Sequence, residues 1–302
     1  MYTGGVDFAR RRISTRAILW MVAIALVNSA CAGGSGRTES VRHSPSWPPQ
    51  APWAAAISAA EDIASSLPRP SPAAPPGVET HPADSPYANR AHGYDASYPQ
   101  CGAAALPAAD FSVIGVNGGK SFSINPCFLR QWQNGLRPRA IYLNSGFNPD
   151  NRAKLLPACD RLAGAAGLNG DAQLAYGLGC STASDSLKVL SGAGAPQPLM
   201  WWIDVENSNS WDADNLDLNQ SSLQGEIEML ASTGRPVGIY STFKDWKIIA
   251  GSWSFAGIAA NWVAGRNPAD ACASPGFSGA PVWLAQERAT WADSGWDSDY
   301  AC

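Results

Sequence analysis

Two acids raise the first chemical question. In Trp201-Trp202-Ile203-Asp204-Val205-Glu206-Asn207 the carboxyl side chains stand two residues apart. Side chains alternate across a strand, so Asp204 and Glu206 face the same side, with Cα atoms roughly 6.6–7 Å apart. Apolar residues precede the pair and polar ones follow, as where a strand leaves a core. Two carboxyls so placed suit cleavage of a glycosidic bond. One, held protonated, donates to the leaving oxygen, while the other stays ionised and steadies the developing charge. Like charge and partial burial would drive their two pKa values apart. The plain alternative is a pair of solvated acids at a strand end.

Composition narrows the alternatives. The chain has 302 residues and a net charge of −4, with 15% charged and 45% hydrophobic residues. That is enough apolar material for a core, and the mild acidity argues against a nucleic-acid partner. The histidines, His43, His81 and His92, all fall in the first third. If the folded domain lies beyond them, Ser-His-Asp, Cys-His and His-ligated zinc chemistry are excluded together. No metal or organic cofactor is implied. Asp212, Asp214 and Asp217 lack the glycine and distal Glu of a calcium loop and read as helix-capping acids.

The acids need elements to hold them. Strand-like runs recur at Phe111–Asn117, Ala140–Asn144, Met200–Glu206, Pro236–Ser241, Asn261–Ala264, Pro281–Gln286 and Gly295–Asp299. Between them, Asn219–Thr233 places Leu223, Ile227 and Leu230 at helical spacing, Asp185–Val189 closes another helix, and Phe243–Ile249 gives a third. Strands alternating with helices predict an α/β domain with a mostly parallel sheet. About eight strands would close a (β/α)8 TIM-like barrel, trimmed because such barrels normally take about 250 residues. An open doubly wound sheet is the alternative, but no G-x-G-x-x-G or P-loop follows any strand.

The first third reads as a leader and a spacer. Arg10, Arg11, Arg12 and Arg16 precede the apolar run Ala17–Val27 and the small residues around Ala30-Cys31-Ala32. Residues 1–32 are therefore expected to be a signal peptide. The alternative is a lipoprotein leader with Cys31 lipidated. Residues 33–100 are rich in Pro, Ala and Ser and show no sustained apolar period, which predicts a disordered linker with at most a short helix over Ala54–Ser65. The domain is then expected over residues 101–302. Six cysteines remain after the leader: Cys101, Cys127, Cys159, Cys180, Cys272 and Cys302. An even number in an exported domain predicts three disulfides. Local spacing favours Cys159–Cys180 and Cys272–Cys302, leaving Cys101–Cys127, although six cysteines keep other connectivities open.

Ten tryptophans follow residue 100. Most are expected in the core; Trp201 and Trp202 face oppositely, so at least one is buried. Trp211 and Trp262 are the candidates for a groove in which sugar rings stack. Asn144 ends a strand in YLNSGFNP and is a candidate ligand contact, or else a turn residue before Gly146.

The motifs WWIDVEN, VGIYS, NWVAG, VWLAQ and WDSDYAC, in that order, resemble the strand ends of the glycoside hydrolase family 25 lysozymes. Those are β/α barrels that cleave the N-acetylmuramic acid linkage of peptidoglycan. With GVNGG and NPC the chain is more closely similar to secreted bacterial glycoside-hydrolase-like domains (the domain-of-unknown-function 1906 type). The resemblance runs from about Phe111 to Cys302. It implies that Glu206 is the general acid, that Asp204 orients the substrate's acetamido group, that Tyr240 lies at the site, and that Asp297 is the last-strand aspartate. It also implies that Asn117, in Gly115-Val116-Asn117, stands where the lysozymes carry a first-strand aspartate. Asn117 holds no charge, which would leave sugar binding and put turnover in question.

Two functions follow. One is a secreted or wall-associated glycoside hydrolase acting on peptidoglycan or a related glycan. The other is a catalytically inactive barrel that binds wall glycan or a surface partner. The expected partner is cell-wall glycan, with no nucleic acid, with membrane contact only through a lipid on Cys31, and with the chain acting as a monomer outside the cytoplasm.

Overall fold

A computed structural model describes residues 84–103, 107–287 and 296–302. The expected leader, Cys31 and the Ala54–Ser65 helix lie outside the described residues. Eight strands close a barrel in chain order. They are β1 (His92–Ala96), β2 (Phe111–Gly115), β3 (Arg139–Asn144), β4 (Trp201–Asp204), β5 (Val237–Ser241), β6 (Ala260–Val263), β7 (Val282–Glu287) and β8 (Asp297–Ala301). Strands β1 to β7 run parallel, while β8 is antiparallel to both β7 and β1.

The helices are α1 (Phe128–Asn134), α2 (Pro157–Ala165), α3 (Gly170–Gly192), α4 (Leu216–Ala231), α5 (Phe243–Ile249) and α6 (Pro268–Cys272). Between β1 and β2 the described residues hold a short 3-10 turn, Tyr98–Gly102. The barrel is thus trimmed, as its length suggests, and its last two strands pair antiparallel.

Alternation builds two apolar layers. Along β4, Trp201, Ile203 and Val205 face outward and join Leu223, Ile227 and Leu230 of α4 in one cluster. Trp202 faces inward with Phe111, Val113, Ala140 and Ala260. Both tryptophans are fully buried, and each large apolar side chain so buried stabilises the fold by about 1.5–3 kcal/mol. Glycines make room inside the barrel. A Cβ on Gly238 would lie 2.2 Å from the Trp202 ring, and one on Gly93 would lie 2.2 Å from Phe111. Outside it, α3 and α4 touch at Gly179 and Gly225, where a Cβ would meet the carbonyl oxygens of Ser222 and Tyr176. The composition of α3 suits that contact, because it is rich in Gly, Ala and Ser.

The start of the domain corrects the expected boundary at residue 101. β1, with sequence HGYDA, lies inside the stretch read as linker, and Tyr87 before it is buried. The Trp202 indole donates to the Tyr87 hydroxyl at 3.0 Å, and the Tyr87 ring packs on Phe111 at 4.8 Å. This segment therefore plugs the floor of the barrel. His92 consequently belongs to the folded domain. It is exposed at the floor end of β1, against Tyr300, away from the acids.

The disulfides are Cys101–Cys127, Cys159–Cys180 and Cys272–Cys302, the pairs that local spacing favours. Three such bonds suit an oxidising compartment. Among the described residues no helix is long and apolar enough to cross a membrane.

Candidate active site

Five parallel strands, β3 to β7, deliver their last inward-facing residues to one end of the barrel, the end where β/α barrels place their chemistry. β3 brings Asn144, β4 brings Asp204, β5 brings Tyr240, β6 brings Trp262 and β7 brings Gln286. β8 arrives from the opposite direction and contributes Asp297, its first residue. These side chains line one cleft of about 420 Å³, together with Glu206 and Asp95.

Asp95 overturns the expectation placed on Asn117. The first-strand acid is present, in Gly93-Tyr94-Asp95, and pairs in register with Asp297 across the β1–β8 ladder. Asn117 follows β2 and does not line the cleft. Its amide nitrogen donates to the Asn144 carbonyl at 2.9 Å, and its amide oxygen accepts from the Asn144 backbone N–H at 3.0 Å. It joins the ends of β2 and β3, satisfying buried backbone groups that would otherwise be orphaned.

Hydrogen bonds order the mouth. The Tyr240 hydroxyl donates to Gln286 Oε1 at 2.7 Å, and Gln286 Nε2 donates to Asp95 Oδ2 at 3.0 Å. The Asn144 amide donates to Asp204 Oδ2. The other oxygen, Asp204 Oδ1, is buried without a hydrogen-bond partner. Glu206 is more open, with only a long 3.4 Å bond from the Ser208 hydroxyl to its carboxylate. Trp211 also departs from expectation. It is not among the cleft-lining residues, and its indole donates to the Glu206 carbonyl at 2.9 Å, bracing the backbone after β4. Trp262 does line the cleft but is buried, packed against Tyr240 and Trp202.

Burial and mutual repulsion hold the acids toward their protonated forms. Burial raises Asp95, with the Asp297 charge adding to it. Burial also raises Asp204, reinforced by Glu206 and Asp95. Glu206 is raised by burial and then by Asp245, and Asp297 by burial. Below the mouth, Asp299 is fully enclosed and raised by burial and by Asp95. Upward shifts of this kind, caused by burial and by neighbouring like charges, are what acid–base chemistry draws on. Among the described residues no group of three His, Cys, Asp or Glu is arranged to hold a metal ion. Asp212 accepts from the backbone N–H groups of Asp214 and Asn215 at 2.9 and 2.8 Å, which closes a turn ahead of α4 rather than capping the helix.

Sequence reasoning missed Asp95, Gln286 and Tyr142 in this cleft. Asp95 carried a signal, a Gly-x-Asp between short apolar residues, but it sat in a Pro-rich neighbourhood.

Parts of the chain are similar to known proteins. A family model described as lysozyme-like protein 1 matches residues 190–264. No curated protein matches. Among solved structures, the chain is similar to a family GH25 lysozyme from Aspergillus fumigatus (14% identity, 71% of this chain, 94% of that one, TM-score 0.46). It is also similar to a bacterial lysozyme from Streptomyces coelicolor (16% identity, 70% of this chain, 92% of that one, TM-score 0.45). A third is the modular autolysin LytC from Streptococcus pneumoniae, in complex with a synthetic peptidoglycan ligand (11% identity, 73% of this chain, 51% of that one, TM-score 0.46). None of these carries the 1906 label. The stretch matched by the family model, residues 190–264, holds β4 to β6 with Asp204 and Glu206.

Proposed function

We propose that the protein is a glycoside hydrolase that cleaves the glycan of the bacterial cell wall in the manner of a muramidase. The observation that carries this reading is the four-acid mouth: Asp95, Asp204, Glu206 and Asp297 converge on one cleft. Glu206 is the general acid. Burial and the Asp245 charge raise its pKa, which favours the protonated form that a general acid needs, and its partial exposure lets a leaving oxygen reach it. Asp204 orients the substrate. Its unpartnered Oδ1 is an acceptor awaiting a donor, which the N–H of an acetamido group beside the scissile bond supplies. Asp95 and Asp297 add negative potential that steadies positive charge at the anomeric carbon. Tyr240 and Gln286 hold Asp95 in place, and Asn144 holds Asp204. The solved relatives named above include lysozymes and an autolysin seen with a peptidoglycan ligand, which fits the same substrate class.

The binding-only reading rested on a missing first-strand acid, and the Asp95 carboxyl in the cleft weighs against it. Export by the N-terminal leader, residence at the wall, a lipid on Cys31 as its alternative anchor, and action as a monomer complete the proposal.

The test is release of fragments from purified peptidoglycan, identified by mass spectrometry. We expect muropeptides ending in reducing N-acetylmuramic acid, with release at least about a hundred-fold slower for Glu206→Gln and thermal unfolding unchanged. Unaltered turnover in Glu206→Gln would remove Glu206 as the acid. Retention on the wall without any fragments would leave only the binding role.

A further inference from the structure

One aromatic ring of the cleft differs from the others. Tyr240 and Trp262 are buried and Tyr142 is half-buried, whereas Tyr98 is 48% exposed. No other Phe, Tyr or Trp among the described residues is exposed to that degree. A single exposed apolar side chain needs no explanation in itself, but this one is fixed at the rim of a cleft. Tyr98 follows Ser97, whose backbone N–H donates to Gln100 Oε1 at 2.8 Å. Pro99 restricts the backbone next to it. Gln131 Nε2 donates to the Ser97 carbonyl at 2.6 Å, and the Cys101–Cys127 disulfide ties the turn to the start of α1. The ring rests on the backbone at Gly119, where φ is +85° and a Cβ would come within 2.9 Å of the Tyr98 Cε1. Two independent constraints, one on the turn and one on the surface beneath it, therefore hold an aromatic ring out in water beside the acids.

Such a fixed, exposed ring pays little conformational entropy on binding, which makes it an effective contact. One ring matches the apolar C–H face of one pyranose and is far too small to anchor a protein interface. Ser208 and Asn209 line the same cleft and offer hydrogen bonds to the sugar's polar edge. We propose that Tyr98 is the stacking platform of a further sugar subsite, holding a pyranose of the same glycan strand whose scissile bond lies at Glu206. The inference rests on the function proposed above and adds where the strand extends.

The experiment measures binding of peptide-free glycan strands, prepared from purified peptidoglycan, to the full chain carrying Glu206→Gln so that the ligand stays intact. Adding Tyr98→Ala should weaken binding by about ten-fold, while Tyr98→Phe, which keeps the ring, should bind like the parent. Thermal unfolding of each variant checks that the turn still folds. Equal affinity of the Ala variant and a parent that does bind would overturn the platform and leave the proposed function standing. Weakening by Tyr98→Phe as large as by Tyr98→Ala would overturn stacking in favour of the hydroxyl. A parent that does not bind these strands at all would overturn both.

Discussion

Asp204 and Glu226 are both buried acids, and the barrel wall separates them. Asp204 points inward to the cleft. Glu226 sits on α4, fully enclosed, and accepts a hydrogen bond from the Ser145 hydroxyl. Ser145 belongs to both neighbourhoods, since its backbone N–H donates to the Asp204 carbonyl at 3.0 Å. Each acid has one oxygen bonded and one without a partner. Each is shifted upward first by burial, Glu226 to about 8. A raised pKa therefore does not mark the site. What distinguishes Asp204 is its company: three more acids, an open cleft and amides that orient it. Glu226 has a wall on every side and nothing for a proton to reach.

The harshest trial of this contrast removes the floor of the barrel. A chain begun at residue 101 lacks Tyr87, β1 and Asp95, leaving Trp202 and Phe111 uncovered and β2 and β8 with bare edges. We expect it to show no cooperative thermal transition, whereas a chain begun at residue 84 should unfold cooperatively. A folded, active chain from residue 101 would mean that the mouth does not depend on β1.

A milder change sharpens the contrast from the wall side. The folded protein holds the Glu226 proton up to about pH 8, against 4.5 for the ordinary side chain. Between those values the folded state binds more protons than the unfolded one, so stability falls as pH rises through that window. Glu226→Gln removes the titration. Below pH 4.5 the variant and parent should melt together; by pH 8 the variant should melt higher, by on the order of 5 °C. Fragment release should persist in Glu226→Gln. Its loss would place the wall acid within the chemistry.

The smallest effect lies at the mouth. Asp245 is the charge that most raises Glu206 after burial itself. Asp245→Asn should lower the Glu206 pKa, so the alkaline limb of the rate profile should move to lower pH. The helix start should survive, because the Thr242 hydroxyl accepts from the backbone N–H of residue 245. A limb that does not move would detach Glu206 from the titration that controls turnover.

Most of the barrel was legible because β2 to β7 carry β-branched or aromatic runs with alternating faces. Strand β1 was not, since HGYDA has no Val or Ile and follows a Pro-rich stretch; its order comes from β2 and β8 on either side. Much of α3 was hidden for a related reason. Its Gly, Ala and Ser residues give a weak apolar stripe, yet they permit close contact with α4. At the site, Asp204 and Glu206 were legible as a local pair and Asp297 by resemblance. Gln286 meets Asp95 and Tyr98 only through barrel closure, which no short spacing records. Asn117 and Trp211 misled for one reason: a polar or aromatic residue just past a strand can brace the backbone as readily as it can meet a ligand.

The reversal of β8 gives the molecule an adjustable side. Four of its mouth residues, Asn144, Asp204, Tyr240 and Trp262, sit on strands with parallel neighbours on both sides. Gln286 and Asp297, by contrast, stand on two strands that pair antiparallel, so the chain leaves β7 and enters β8 at the mouth. Hairpin connections tolerate changes in length. A change in the number of residues between β7 and β8 would act next to Gln286 and Asp297 and would leave the parallel strands β2 to β6 with their neighbours. A lineage could retune the reach of the cleft there, or an engineer could graft a new edge onto it, while leaving the remaining strands as they are.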